Sequence, residues 1–263
     1  MNEISKKTKI CDGVRIGNNV IIEDDVYLDF DVIIRDNVHI GKGTFIGARS
    51  IIGEYLADFF DGMSSKIHPL YIGEDSIIRS EAIIYGGSEI GNNFQTGHRV
   101  TIRENSKIGH HVRIGTLSDI QGQCTIGNYV NMHSNVHIGM SSVIKDYAWI
   151  FPYVVLTNDP TPPSDTLSGV TVEEFAVIST GSIILPGVLI GKDSLVGAGA
   201  IVTKDVEAEK VYVGNPARPL CETSKIKNNE TGKSIYPWRY TFERGMPWKG
   251  IGYDSWLNKQ SEE

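Results

Sequence analysis

From Ile10 onward an aliphatic side chain returns at every sixth residue. The first run holds positions 10, 16, 22, 28, 34, 40, 46 and 52, the second runs from Ile72 to Leu156, and the third from Val172 to Val202. Of these 29 lead positions, 27 are Ile, Leu or Val, and the exceptions are Thr96 and Met132. Four residues after each lead stands a second constrained position, usually small: Val14, Val20, Thr44, Ser50, Ser76, Ala82, Ser118, Cys124, Ala176, Ser182, Ala200. Within the regular runs only Phe94 is bulky there.

A helix places residues six apart about 120° away from one another, so a long helix cannot put these leads on one face. A short strand followed by a tight turn can, and β-branched side chains suit its pleated surface. Three such units close one triangular coil, with leads stacked up the interior and small residues near the corners. Coils paired in parallel at about 4.8 Å make nearly ten rungs and a prism on the order of 45 Å long. A sandwich would instead need turn signals at roughly 8–12-residue spacing and hairpins. The predicted fold is therefore an all-β parallel coil over residues 1–206, followed by an extension over 207–263.

Composition narrows the field. The 263 residues carry a net charge of −7 and are 40 % hydrophobic, which fits a folded acidic protein and argues against a nucleic-acid binder. No apolar run is long enough to cross a membrane, and the N-terminal MNEISKKTKICDG lacks a signal-peptide core. The cytoplasm is the predicted compartment. Three scattered cysteines without C-x-x-C spacing predict neither a disulfide framework nor a metal knuckle.

A regular prism offers no pocket, so function is sought where the rhythm breaks. One insertion spans 54–71 and a second, proline-rich, spans 157–171, within LTNDPTPPSDTLSG. Around 85–104 Phe94 and Thr96 are expected to disturb the interior. Three units per coil stack 98, 116 and 134 on one edge and 115, 133 and 151 beside them. Between 234 and 256 lie seven of the chain's 23 aromatic residues, suited to covering the prism or to stacking on a base.

The pattern [LIV]-G-x-x-[small]-x resembles the hexapeptide-repeat family, which implies a left-handed parallel β-helix, a homotrimer and an acyltransferase using acetyl-CoA. The blocks WIFPYVVLTNDPTPPS, HRVTIRE, GTLSDIQG and PWRYTFERGMPWKGIG resemble a narrower group, the N-acetyltransferases of dTDP-linked 3-amino-3,6-dideoxyhexoses. That resemblance implies a nucleotide sugar held between two subunits, with coenzyme A along the same groove, and a place in surface-glycan biosynthesis.

On this reading His133 is the candidate general base, since an imidazole titrates near neutrality, or else orients a weakly basic sugar amine. The Phe151 backbone N–H is the candidate oxyanion donor. Asn158 and Asp159 would hold the amine or sugar hydroxyls. Tyr85, His98, Arg99, Thr116, Asp119 and Asn135 are further candidates for the sugar nucleotide. Thr180, Gly181, Ala198 and Gly199 are small enough for pantetheine to approach, and Lys204 and Arg218 would meet the coenzyme's phosphates. For His39, His110 and His111 an exposed turn position suffices. Alternatives of other classes are an O-acetyltransferase of a sugar or polysaccharide, a metal hydratase gathering His98, His133 and His137 across an interface, and a non-catalytic scaffold. No metal is expected on the main reading.

Overall fold

The computed structural model describes residues 1–60 and 67–260; within the first insertion, residues 61–66 lie outside the described residues. Nearly every six-residue unit forms a short strand ending on its lead residue, as in Asn131–Met132 or His137–Ile138, while Ile51–Glu54 and Ile83–Tyr85 run past theirs. The strands sort into three parallel sheets of ten, twelve and ten strands. Sheet A runs from Glu3–Ile4 to Leu189–Ile190, sheet B starts at Lys9–Ile10, and sheet C runs from Arg15–Ile16 to Ile201–Val202. Partners stand three units apart wherever no insertion intervenes, so His137 lies between Asp119 and Val155. The six-beat pattern begins one unit earlier than Ile10, at Ile4, which pairs with Ile22. It also outlasts Val206, because Lys210–Val213 adds in parallel to sheet B before Arg218–Glu222 turns back antiparallel.

Inside, the leads from Ile22 to Val202 form one continuous core. The hydroxyls among the small inward residues find carbonyl acceptors; Ser118 Oγ donates to His133 O at 3.0 Å and Ser142 Oγ to Gly139 O at 2.7 Å. The interior holds at 85–104, contrary to the sequence expectation. Phe94 is fully buried beside the short lead Thr96, so a large and a small residue exchange volumes within one coil. Thr96 Oγ1 accepts the Arg79 N–H at 2.9 Å, which removes the cost of a buried hydroxyl.

Most corners turn through a left-handed residue three places after the lead. Asn and Asp tolerate that conformation, as at Asn37, Asp75 and Asn135. At the corner between sheets A and B the same position holds His111, Tyr129, Tyr147 and Phe175, whose rings stack at 4.5, 5.4 and 4.8 Å. The C-terminal extension packs on this column. Trp238 and Trp248 are buried with Phe175 and Val177 in a second core, and Trp238 Nε1 donates to Phe175 O at 2.9 Å. Arg239 pairs with Asp193 and lies over the Phe175 ring. A short helix, α1 (Ala57–Phe60), belongs to the first insertion, and α2 (Tyr253–Gln260) closes the extension. Among the described residues no helix is long and apolar enough to cross a membrane.

Both insertions leave from the same corner, between sheets C and A, in the third and the eighth coil. The ladders resume in register after each, with Ile72 on Ile40 and Val172 on Ile144. The added loops therefore project without disturbing the column.

Candidate active site at the corner between sheets B and C

One edge of the prism, the corner following sheet B, carries most of the predicted site residues. His98, Arg99, Thr116, His133, Asn135, Phe151, Thr180, Gly181, Ala198 and Gly199 all fall on its successive turns. The reason is arithmetic: each occupies one of the three positions after a sheet-B lead.

His133 follows the strand Asn131–Met132, and its imidazole stacks on Phe151 with centroids 4.6 Å apart. The ring makes no hydrogen bond with a described residue. Partial burial pushes its pKa below the usual histidine value, so it is neutral at pH 7 and able to accept a proton. Beside it opens a cleft of about 560 Å³. Its floor is Trp149 and Val177 of sheet B with Phe151 of the turn that follows, and its far wall is the extension, with Tyr236, Trp238, Phe242, Lys233 and Arg244. Cys124 offers no competing nucleophile, because burial pushes its thiol up to about 11.

Backbone amides distinguish this edge from the corner after sheet A. There, the N–H two places after a lead is taken by a side chain of the next coil: Asn92 N–H by His110 Nδ1, His110 N–H by Asn128 Oδ1, and Asn128 N–H by Asp146 Oδ1. At the corner after sheet B, His98 N–H is taken by Thr116 Oγ1 at 3.2 Å. Above it the equivalent residues are Ser134, Pro152, Thr180 and Ala198, and no side chain closes the turn. The N–H groups of Thr116, Ser134, Thr180 and Ala198 consequently have no hydrogen-bond partner among the described residues. Gly181 and Gly199 stand on the same edge with positive φ, and a Cβ on either would meet nothing within 4 Å. This open row of donors was missed by sequence reasoning. Its signal was the lack of Asp, Asn or His at 134, 152, 180 and 198.

Several predicted roles are corrected. The Phe151 N–H donates to Ile178 O at 2.9 Å within the ladder, so it is committed and cannot serve an oxyanion; the neighbouring free donor is the Ser134 N–H. Asp159 spends its carboxylate inside its own loop, accepting from Thr161 N–H at 3.0 Å, Ser164 N–H at 2.9 Å and Ser164 Oγ at 2.7 Å. Arg99 is tied to Glu81, whose carboxyl the hydrogen bonds from Arg49 and Arg99 hold at about 2. Asn158 lies in the proline loop at the corner between sheets C and A, with a side chain that makes no hydrogen bond to a described residue.

Tyr85 and Lys204 also stand at that other corner, and Arg103 lies over the Tyr85 ring. Asp119 faces outward from sheet C, paired with His137 at 3.2 Å and Gln121 at 2.7 Å. Burial alone would raise its pKa, but the bonds from His137 and Gln121 win and lower it. Arg218 opens the antiparallel strand at the top of sheet B. Of the alternative metal trio, His98 and His133 share one edge while His137 belongs to the sheet C face; among the described residues no three His, Cys, Asp or Glu side chains gather around a common point.

Known proteins resemble the chain in the same sense. Residues 19–54 match the family described as bacterial transferase hexapeptide (six repeats), and 169–204 match the hexapeptide repeat of succinyl-transferase. A dTDP-4-amino-4,6-dideoxy-D-glucose acyltransferase of Escherichia coli is 32 % identical over 162 residues, covering 59 % of this chain and 82 % of the relative. A 2,3,4,5-tetrahydropyridine-2,6-dicarboxylate N-acetyltransferase of Staphylococcus aureus is 34 % identical over 96 residues, 36 % of this chain and 34 % of that protein's length. Among solved structures, a UDP-N-acetylglucosamine acyltransferase of Arabidopsis aligns over 99 % of this chain and 90 % of its own, with 14 % identity and a TM-score of 0.41. A serine acetyltransferase in complex with cysteine aligns over 41 % of this chain and 42 % of its own, with 25 % identity and a TM-score of 0.38. The chain belongs to the hexapeptide-repeat acyltransferase family.

Proposed function

We propose that this protein transfers the acyl group of an acyl-CoA, acetyl-CoA being the donor predicted from sequence, to the amino group of a nucleotide-linked amino sugar. The proposed acceptor is a dTDP-linked 3-amino-3,6-dideoxyhexose, and the proposed assembly is a cytoplasmic homotrimer with active sites between copies. The observation that carries this reading is the unpaired, neutral His133 imidazole beside the unpaired Ser134 N–H, on an edge lined with further free amide donors. The E. coli relative that acts on a dTDP-amino sugar supports the substrate class.

The chemistry follows from those groups. The sugar amine attacks the thioester carbonyl carbon, and the new C–N bond leaves negative charge on the oxygen. A fixed N–H such as that of Ser134 stabilises this charge, at a scale of roughly 10²–10³ in rate for one donor. His133 takes the proton that the nitrogen sheds. The C–S bond then breaks, and the imidazolium returns the proton to the departing thiolate. The Thr180 and Ala198 N–H groups suit the pantetheine amide carbonyls, with Gly181 and Gly199 leaving room beside them. Lys204, exposed at the next corner, and Arg218, exposed at the top of sheet B, are the cations proposed to meet the coenzyme's phosphates.

Within one chain the proline loop and His133 occupy different corners, so Asn158 meets this site only from a second copy. The exposed Leu117 and Tyr153, at 52 % and 63 %, lie on the His133 edge and fit an edge covered by another chain. The test is release of free thiol from acetyl-CoA with dTDP-linked 3-amino and 4-amino hexoses and with the corresponding free sugars. Thiol release with a nucleotide-linked amine and not with free sugars supports the assignment. Turnover of hydroxyl acceptors alone would replace it with O-acyl transfer.

A further inference from the structure

Far below the His133 edge, two apolar features stand exposed on opposite corners of the column. Phe30 lies on the corner after sheet B in the second coil and is 53 % exposed. Its backbone is held, since its N–H donates to Asp29 Oδ1 and its carbonyl accepts from the Arg49 N–H, both at 2.9 Å. Its ring stacks on no other ring of the described residues. The equivalent residues of nearby coils are Asp12, Ala48 and Ser80, so the repeat itself asks for no aromatic ring at this place. The second feature is the first insertion, at the corner on the other side of sheet C. Its base is fixed to the column, with the Gly87 N–H donating to His68 O at 3.2 Å and His68 Nε2 paired with Asp58 at 2.8 Å. There α1 presents Phe59 and Phe60, packed edge to face at 5.3 Å, and Phe60 is 77 % exposed. Ile67 is exposed beside the base of the loop.

Register relates the two. The shared site brings Asn158, which follows the sheet C lead Leu156, to His133 of another copy, which follows the sheet B lead Met132. Five coils below Leu156 on sheet C stands Ile52, the lead from which the first insertion departs. Five coils below Met132 on sheet B stands Leu28, whose turn is Asp29, Phe30 and Asp31. Columns side by side in a closed ring stay level with one another. The same pair of copies that unites Asn158 with His133 therefore faces the first insertion with the Phe30 turn, roughly 24 Å lower. Between those corners the outward residues of sheet C are Ile33, Ile51 and Ile83, half-buried, so the face that joins them is apolar as well.

Resting on the shared-site reading above, we propose that the Phe30 turn is the docking surface for the first insertion of a second copy of this chain, with Phe59 and Phe60 of α1 laid against the Phe30 ring. Exposed apolar groups on both sides of one level are thereby covered. The contact acts as a clamp remote from the reacting groups. Two contacts five coils apart fix the tilt between neighbouring columns, which a single contact at His133 would leave free.

The test is cross-linking between chains, read without any activity. Cys11, one coil below on the Phe30 corner, is first removed as Cys11→Ser. Chains with Phe30→Cys and longer, tagged chains with Phe60→Cys are co-expressed in that background and treated with a short bismaleimide. A linked pair holding one chain of each kind is expected, at several times the yield of either variant alone. Both changes replace exposed side chains, so the fold is not at stake. Phe30→Ser should raise the dissociation constant of the assembly about tenfold or more, read by light scattering on dilution, with kcat of the assembled protein unchanged. An assembled protein that yields no mixed pair, or a Phe30→Ser constant equal to that of the wild type, would overturn the clamp and leave the His133–Asn158 site standing. A wild-type protein that stays monomeric would overturn both.

Discussion

His133 is set apart by the cleft it lines, since His111 is likewise stacked, on Tyr129, with its pKa lowered by burial, yet stands outside that cleft. His39 and His68 are paired with carboxylates at 2.7 and 2.8 Å, and His110 accepts a backbone N–H, whereas the His133 ring has no such partner among the described residues and rests on Phe151. Desolvation disfavours its charged form, which fixes the expected pH behaviour. If His133 is the base proposed above, it works when neutral, so kcat should stay level through neutrality and fall only below the ordinary histidine range. The same depressed value means that its contribution to stability is present above the unfolded pKa and lost as pH falls through the folded one. His133→Ala and His133→Asn should cut turnover by about 10²-fold or more with unchanged circular dichroism. Wild-type rates for both variants would show that no proton acceptor acts there. The sequence already marked His133 by its register, one coil above Gly115 and one below Phe151. It could not show that the Phe151 N–H is spent in the ladder or that Asp159 binds its own loop. Both facts depend on hydrogen-bond partners that spacing does not specify.

At the scale of elements, the coils were legible because their period is strict and each unit repeats the same lead, small residue and left-handed turn. The supposed break at 85–104 misled because Phe94 and Thr96 were judged singly, whereas their volumes compensate within one coil. The extension was legible only in composition. Its seven aromatics announced a covering role, but the cleft arises from packing between residues 133–177 and 228–244, a relation that no local pattern encodes. Trp248 anchors that packing, almost wholly buried against Tyr147 and Tyr253 with its Nε1 donating to Phe242 O at 3.1 Å. Trp248→Ala should destabilise the extension's docking by about 3–5 kcal/mol, the usual scale for a buried tryptophan. Limited proteolysis should then cut near 223–260 while the far-ultraviolet spectrum of the parallel column persists. Resistance equal to the wild type would mean that the extension is held by other contacts.

For the whole molecule, the column acts as a rigid ruler that stacks equivalent positions of successive coils onto one edge. That edge gathers His133, the free amide row and the open glycines, while both insertions project from a different corner. A single chain thus separates His133 from Asn158, and on the shared-site proposal a closed ring of copies joined head to tail would reunite them. The most direct measurement is complementation between two inactive variants. His133→Ala and Asn158→Ala chains would be purified separately, shown to be inactive, and then co-expressed so that mixed assemblies form. If His133 of one copy works with Asn158 of its neighbour, random mixing restores intact sites at about a quarter of the wild-type frequency. Thiol release at that level is the result predicted here, whereas mixed assemblies as inactive as their parents would contradict a site shared between chains.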